Sequence, residues 1–320
     1  MTSGPPRPQA RDASDPSSQA PSHRGTITLE EGEILDQSAF DGEQRGLRVR
    51  APGIAAAAEP GAFVHIQCDP GLPMRRPMSI MLADPGEGTV DFLYKVVGEG
   101  TRRLAARRPG ERLSLLGPVG RPFRMHEDRA RALLIGGGVG IPPVVFLAER
   151  LRRRPSFEPF AVLGSEVPFP FKARPSGVLV PGMPHGVIAC MPLLEAWGIP
   201  NRLASLQGYP GCFEGYVTEL ARAWLQALEP ANLAQVEIFC CGPNPMMHAA
   251  ARLAEAFQLP CQVCLEEYMA CAVGGCMGCT VRVHTAGGTV MQRVCVDGPV
   301  FDAASVVWER LPGCVPEGEP

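Results

Sequence analysis

Cys271-Ala-Val-Gly-Gly-Cys276-Met-Gly-Cys279, followed after fifteen intervening residues by Cys295, is the stretch on which the reading of this 320-residue chain turns. A C-x4-C-x2-C run with a distant fourth cysteine is the ligand pattern of a plant-type [2Fe–2S] cluster. Gly274, Gly275 and Gly278 remove side chains where three cysteines must curl around one small inorganic core. Backbone N–H groups bared in such a loop can point at the negatively charged sulfides. A one-electron centre does not by itself exchange a hydride with a nicotinamide, so a two-electron cofactor has to bridge the two.

Downstream of Cys279 the sequence runs TVRVH, TAGG and TVMQRV before reaching Cys295. Two alternating runs around a glycine-rich turn predict a hairpin. Its second strand returns Cys295 to the side of Cys279, which accounts for the long last gap. Thiolates also suit zinc, and the other readings are a structural zinc site or free thiols. Zinc sites more often show two short C-x2-C pairs. Cys261 and Cys264 form one such pair, read here as buried thiols at the edge of the cluster domain.

The length suits two domains and a small third. Apolar residues make up 45%, charged residues 20%, and the formal net charge is −3, values of a soluble globular chain. No basic excess points to nucleic acid. Residues 1–25 are rich in Pro, Ser, Gly and charge, a composition for which disorder is the expectation and which is neither leader nor anchor. No apolar run is long enough to predict a transmembrane helix. Twelve cysteines, four with a metal use, fit a reducing cytoplasm.

Residues 26–127 read as an all-β barrel. GLRVR, AFVHIQC, PMSIMLA, TVDFLYKVV and ERLSLLG are short β-prone runs separated by turn sequences. Arg75-Arg76-Pro77-Met78-Ser79 combines cations, a proline and a hydroxyl at a strand start. Gly98-Glu99-Gly100-Thr101 opens a short helix, whose first amides attract phosphate. Arg76 with the amides of Gly100 and Thr101 forms a candidate pyrophosphate grip; a strand edge beside a capped helix is the plain alternative.

Residues 128–260 read as an α/β nucleotide domain. Ala132 to Ile135 is a strand, Gly136 to Gly140 a turn, and Pro142 onward a helix, which tolerates proline in its first turn. The glycines let backbone approach a phosphate, although the spacing is not the G-x-G-x-x-G fingerprint. A second unit ends its strand in Cys241-Gly242-Pro243, at the edge where open α/β sheets bind ligands. Residues 261–320 are assigned to the cluster domain and a C-terminal tail.

The order barrel, GGGVGIPP, CCGPNPM and cysteine cluster resembles the ferredoxin–NADP reductase superfamily. Within it, the chain is most similar to electron-transfer subunits of heterodimeric, NAD-linked dihydroorotate dehydrogenases. The resemblance covers roughly residues 25 to 305 and is most specific at the cluster and at Cys295 to Phe301. It implies FAD in the barrel, with Arg76, Pro77, Met78 and Ser79 as flavin motif, Leu93, Tyr94 and Lys95 bordering the isoalloxazine, and Gly98, Gly100 and Thr101 on phosphate. It places NAD at Gly136, Gly137, Gly138, Gly140 and Pro142, with Cys241, Gly242 and Pro243 beneath the nicotinamide. Its cluster ligands match Cys271, Cys276, Cys279 and Cys295. It further implies a heteromer with an FMN-containing dihydroorotate dehydrogenase subunit of pyrimidine biosynthesis, with electrons running partner, cluster, FAD, NAD. No acid or base catalyst is expected in this chain.

Reductases of the wider superfamily usually carry an aromatic where Met78 stands, and its absence is expected in the closer family. One departure stands out. The acidic segment before G-x-V-T in closer relatives is replaced by NRLASLQGYPGCFEGYVT, with a long PFPFKARPSG loop upstream. An NAD(P)H-oxidising reductase that feeds a different redox partner is therefore the alternative activity. A non-enzymatic iron–sulfur redox sensor is the alternative of another class.

Overall fold

The computed structural model describes residues 27–314, so the expectation for residues 1–25 lies outside the described residues. Six strands close the first barrel: β1 (Thr28–Phe40), β2 (Gln44–Arg50), β3 (Phe63–Gln67), β4 (Arg76–Asp84), β5 (Thr89–Lys95) and β6 (Arg112–Val119). Their order is β1-β2-β5-β4-β3-β6, with every pairing antiparallel. Alternation drives the closure. Val49, Val64, Ile66, Ile80, Val90, Phe92 and Leu115 point inward and share one core. Two short helices complete the unit, α1 (Pro52–Ala57) and α2 (Glu99–Ala105). The Glu30 carboxylate accepts from the Gly53 and Ile54 amides at 3.2 and 2.9 Å, which ties α1 to β1.

The second unit begins with β7 (Arg131–Gly137), α3 (Ile141–Leu151) and β8 (Glu158–Gly164). A two-stranded ribbon, β9 (Arg174–Pro175) with β10 (Ala189–Cys190), precedes α4 (Pro192–Ala196) and β11 (Asn201–Ala204). Then come α5 (Val217–Gln226), α6 (Pro230–Leu233), β12 (Val236–Cys241), α7 (Asn244–Phe257) and β13 (Cys261–Cys264). The cluster hairpin is β14 (Thr280–Thr285) and β15 (Gly288–Arg293), followed by β16 (Val300–Asp302). The main sheet has the order β11-β8-β7-β12-β13-β16, parallel throughout except for β16. Such a sheet is covered on both faces, so its strands are buried along their length, as Val236 to Cys241 is, with Glu237 the one charged residue in that strand.

The sheet runs past the sequence-derived boundary at 260. Strands β13 and β16 flank the cysteine loop and hydrogen-bond into the nucleotide sheet, so the cluster module is rooted there at both ends. The predicted hairpin forms, with Thr280 opposite Arg293.

The long segment between β8 and α5 is anchored by buried polar groups. Arg202 in β11 is 4% exposed, and its guanidinium donates to the carbonyls of Val187, Asn201 and Val178 at 3.1, 2.7 and 2.6 Å. Burial pulls the Arg202 pKa down, against the attraction of nearby Glu195. Glu195 in turn accepts from the Ser176 hydroxyl and the Gly177 amide. The Gln44 side chain donates to the Pro168 carbonyl at 2.7 Å, fastening the segment to the barrel. Replacing Arg202 by Met strands three carbonyls, each costing about 1 to 3 kcal/mol if no water reaches it. We expect Arg202→Met to lower the urea midpoint while the iron content stays at the parent level; a midpoint equal to the parent's would count against the anchor.

Candidate functional site

Antiparallel pairing aligns His65 with Pro77 and Phe63 with Ser79, so these four side chains share one face of the barrel. Met78, 8% exposed, points into the barrel core instead, beside Ile80. Position 78 thus contributes a core side chain here, and the outer face of the flavin motif is made by Pro77 and Ser79. Tyr94 is also turned inward: it is 2% exposed, and its hydroxyl donates to Gln37 Oε1 at 3.0 Å. Its neighbour Leu93 looks outward, and Lys95 is exposed. Strand β5 approaches the glycine turn after β7, while β4 packs against α3. The barrel and the nucleotide sheet thus meet along β4, β5, the glycine turn and α3, while Met78 and Tyr94 of the expected flavin residues turn into the barrel core.

At the phosphate end, Arg76 Nη1 donates to the Met74 and Arg75 carbonyls at 2.9 and 3.1 Å. This fixes its guanidinium over the start of α2, where a Cβ on Gly100 would come within 2.9 Å of Arg76 Nε. Thr101 does not offer its hydroxyl outward. It accepts from the Val97 and Gly98 amides and donates to the Gly98 carbonyl, closing the helix start. The first intrahelical bond runs from the Arg102 amide to the Gly98 carbonyl, so the amides of Gly100 and Thr101 precede it. A cation above first-turn amides is the donor set a pyrophosphate requires.

The glycine turn divides its labour. Gly138 has φ +55°, and a Cβ there would meet nothing within 4 Å, which is the requirement for close approach of a ligand. A Cβ on Gly140 would strike the Cys241 carbonyl group, so that glycine serves contact between turn and neighbouring strand. Gly136 pairs with Cys241 across β7 and β12, bringing Gly242 and Pro243 beside Gly137 at the C-terminal edge of the sheet. Pro142 is buried in the first turn of α3. The Cys241 thiol is buried and donates to the Cys264 carbonyl at 3.3 Å. The Cys264 side chain and burial push its pKa well up, so Cys241 shapes the floor as a neutral thiol.

The four candidate ligands lie in two pairs. Cys271 contacts the Cys276 thiol, and Cys279 contacts the Cys295 thiol. Among the described residues no three His, Cys, Asp or Glu side chains converge on a single ion. Two thiolate pairs side by side fit a binuclear cluster, in which each iron takes two cysteines. Desolvation opposes ionisation of Cys271, yet the amides of Cys276, Val273 and Gly275 outweigh it and bring the thiol down to about 7. The Cys276 amide donates to Cys271 Sγ at 3.4 Å, and the Gly278 amide to Cys276 Sγ at 3.5 Å. Burial and the adjacent Cys279 push Cys295 up to about 12. Arg293 spans the module: it pairs with Asp297 at 2.9 Å and donates to the Gly274 carbonyl at 3.2 Å. Cys261 and Cys264 are buried free thiols.

Glu266 is a site residue that the sequence did not single out. It follows β13, is reached by solvent, and its charge acts on Cys241. Neighbouring protein desolvates its carboxyl and pushes it up to about 7, although the residue keeps an exposed face. Only its place at the end of a strand beside Cys241 marks it, and that place is not visible before the sheet order is known. A cavity of about 1310 Å³ lies at the opposite edge of the sheet, lined by Arg121, Glu237, Arg252 and Cys295, away from the flavin and glycine motifs.

A barrel and a parallel sheet meeting in this way, with a four-cysteine loop rooted in the sheet, define a flavin- and nicotinamide-linked reductase carrying an iron–sulfur module. The comparisons agree. Residues 266–307 match the iron–sulfur cluster binding domain of dihydroorotate dehydrogenase B. The chain is 33% identical over 264 residues to the dihydroorotate dehydrogenase B (NAD(+)) electron transfer subunit of Desulforamulus reducens, covering 81% of this chain and 90% of that one. It is 35% identical over 256 residues to the same subunit of Bacillus caldolyticus, covering 78% and 87%. Among solved structures it resembles an NADH-dependent reduced ferredoxin–NADP oxidoreductase studied for flavin-based electron bifurcation, at TM-score 0.70 and 26% identity over 88% of this chain and 91% of that chain. The ferredoxin reductase of carbazole 1,9a-dioxygenase shares the fold at TM-score 0.56 and 24% identity, covering 73% and 67%. The chain belongs to the family of dihydroorotate dehydrogenase B (NAD(+)) electron transfer subunits.

The raised carboxyl makes stability depend on pH. Its stabilising share is complete below the ordinary carboxylate pKa and is lost as pH rises through about 7. Glu266→Gln, in purified chain without added cofactor, should therefore raise the melting temperature more at roughly pH 8 than at roughly pH 5. Equal shifts at both values would show that the carboxyl titrates as in water.

Proposed function

We propose that this chain is the electron transfer subunit of an NAD-linked dihydroorotate dehydrogenase. It carries electrons from a catalytic partner in a heteromer through a [2Fe–2S] cluster and FAD to NAD+. What supports this reading is the pairing of the four motif cysteines beyond β13 in a chain of this family, which also carries the outer face of β4 and the glycine turn after β7.

The chemistry supplied by the bound groups is hydride exchange between FAD and the nicotinamide, and one-electron passage between FAD and the cluster. The protein's own part is orientation. Arg76 and the first amides of α2 would hold the pyrophosphate, and Pro77 and Ser79 would line the flavin. Gly138 would admit the nucleotide phosphates to the backbone, and Cys241 to Pro243 would form the floor under the nicotinamide. Cys271 with Cys276 would serve one iron, and Cys279 with Cys295 the other. We assign the barrel to residues 26–127, the nucleotide unit to 128–260 and the cluster unit to 261–320, with β13 and β16 of the last joining the nucleotide sheet. We place the protein in the cytoplasm, since its buried cysteines are all free thiols and no helix among the described residues is long and apolar enough to cross a membrane.

A second reading has two observations in its favour. The segment 201–218 lacks the acidic run of closer relatives, and the resemblance to an NADH-dependent ferredoxin–NADP oxidoreductase covers most of the chain. On that reading the chain oxidises NAD(P)H for a different redox partner. Co-expression with the product of a neighbouring dehydrogenase gene separates the two. The expected result is a stable complex with one FAD and two irons on this chain, reducing NAD+ when given dihydroorotate. A fully loaded complex inert to dihydroorotate, or a chain that stays alone, would support the second reading.

A further inference from the structure

Strand β3 presents different residues to its two sides. Val64 and Ile66 point into the barrel core. Phe63 belongs to the separate apolar cluster that contains Met269, Ala272, Cys279 and Cys295. The Met269 carbonyl, at the start of the cysteine loop, faces the His65 ring on the outer face of β3, so the cluster module sits against that face. By strand alternation His65 shares that face with Phe63. By register it also stands beside Pro77 of the flavin motif.

His65 is 1% exposed. The carbonyls of Met269 and Arg75 face its ring, yet neither closes a hydrogen bond, and both ring nitrogens lack a partner at bonding geometry. A buried polar group left in that state calls for a reason. The two facing carbonyls differ in freedom. Arg75 is held by its own guanidinium, which donates to the Ser114 carbonyl at 2.7 Å, the Ser114 hydroxyl at 3.0 Å and the His65 carbonyl at 3.3 Å. Met269 lies two residues before Cys271, in a segment without regular secondary structure. Burial and the Arg75 charge keep the imidazole neutral, with a pKa drawn down to about 4. A neutral imidazole has one N–H and can serve only one of the two carbonyls.

We propose that His65 is a positioning residue that seats the cluster loop on the flavin-bearing face of the barrel, its single N–H engaging the Met269 carbonyl. It thereby sets the geometry between the two redox centres while touching neither. This rests on the function proposed above, in which electrons pass between FAD and the cluster inside this chain. An imidazole that only filled space would be replaceable by an aromatic ring of similar volume. One that seats the loop needs a donor at that position, and a glutamine amide can supply it.

The test compares holoprotein of the parent, His65→Phe and His65→Gln. Four quantities are read: flavin and iron content, the rate of flavin reduction by NADH, the following rate of cluster reduction, and hydrogen exchange of the 266–279 peptide together with the cluster's paramagnetic resonance line shape. His65→Phe should keep both cofactors and reduce its flavin at the parent rate. Its cluster reduction should slow by about tenfold or more, as expected for displaced reaction partners. Its 266–279 amides should exchange faster, and its line shape should broaden. His65→Gln should recover most of the cluster reduction rate. Should the Phe protein not fold, His65→Met takes its place with the same expected results. A loaded Phe or Met variant with parental cluster reduction and parental exchange overturns the inference, as does a Gln variant no better than it. A parent protein that binds neither FAD nor cluster overturns the proposed function instead, so the two failures are distinguishable.

Discussion

The pairing of β3 with β4 is the constraint on which the redox arrangement depends. One register, His65 opposite Pro77 and Phe63 opposite Ser79, puts the flavin motif and the seat of the cluster module on the same outer face. A slip of one residue would exchange inner and outer faces along the whole strand. Val64 and Ile66 would then leave the barrel core, where both are fully buried. The apolar core that stabilises the barrel is thus the same device that holds the two redox centres to one surface. The nucleotide side is fixed in a comparable way, because the Gly140 approach to Cys241 locks the glycine turn to β12. Both sides derive their positions from packing, and the polar contacts at the site are few.

Selectivity among twelve cysteines follows from the same contrast between core and loop. Cys240, Cys241 and Cys261 lie in the sheet, where burial raises their pKa well above the ordinary value. Cys68 and Cys212 are each pushed up to about 11, again by burial. Burial of this kind opposes formation of the thiolate, which is the form that binds a metal, and it acts on Cys295 as well. Cys271 alone among the perturbed thiols is drawn down, by amides that its glycine-rich loop turns toward it. Cys295, held up by burial and by Cys279, becomes a thiolate only when a metal displaces its proton.

Much of this was legible in the sequence, for identifiable reasons. The cysteine spacing is local, and the hairpin that returns Cys295 obeys period-two alternation over Thr280 to Arg293. The glycine turn and the strand ends at Cys241 are likewise local signals. Strand β1 was not legible. Of its thirteen residues only Ile34 and Gly32 are buried, so TLEEGEILDQSAF carries no alternating apolar signal and is held as a strand by its two neighbours. The membership of β13 and β16 in the nucleotide sheet is a long-range pairing that short apolar runs cannot announce. For the segment between β8 and α5, the sequence showed prolines and glycines where the structure has a lobe clamped by Arg202 and Glu195. Buried charges at hydrogen-bonding positions look like surface residues in a sequence.

Met78 and Thr101 show how a motif can be correct in place and different in use. Both fall where family resemblance puts flavin contacts, yet Met78 fills the barrel core and the Thr101 hydroxyl closes the start of α2. Strand alternation explains the first, since residues 77 and 79 cannot face outward unless 78 faces inward. Helix capping explains the second, since a hydroxyl at the third position of a helix is within reach of the amides that precede it. In both cases the side chain holds the backbone still. A phosphate grip made of amides and one fixed guanidinium tolerates changes in these side chains as long as the helix start and the strand register are kept. The Met78 side chain can therefore vary within the limits of the barrel core without disturbing the approach of Arg76 to Gly100.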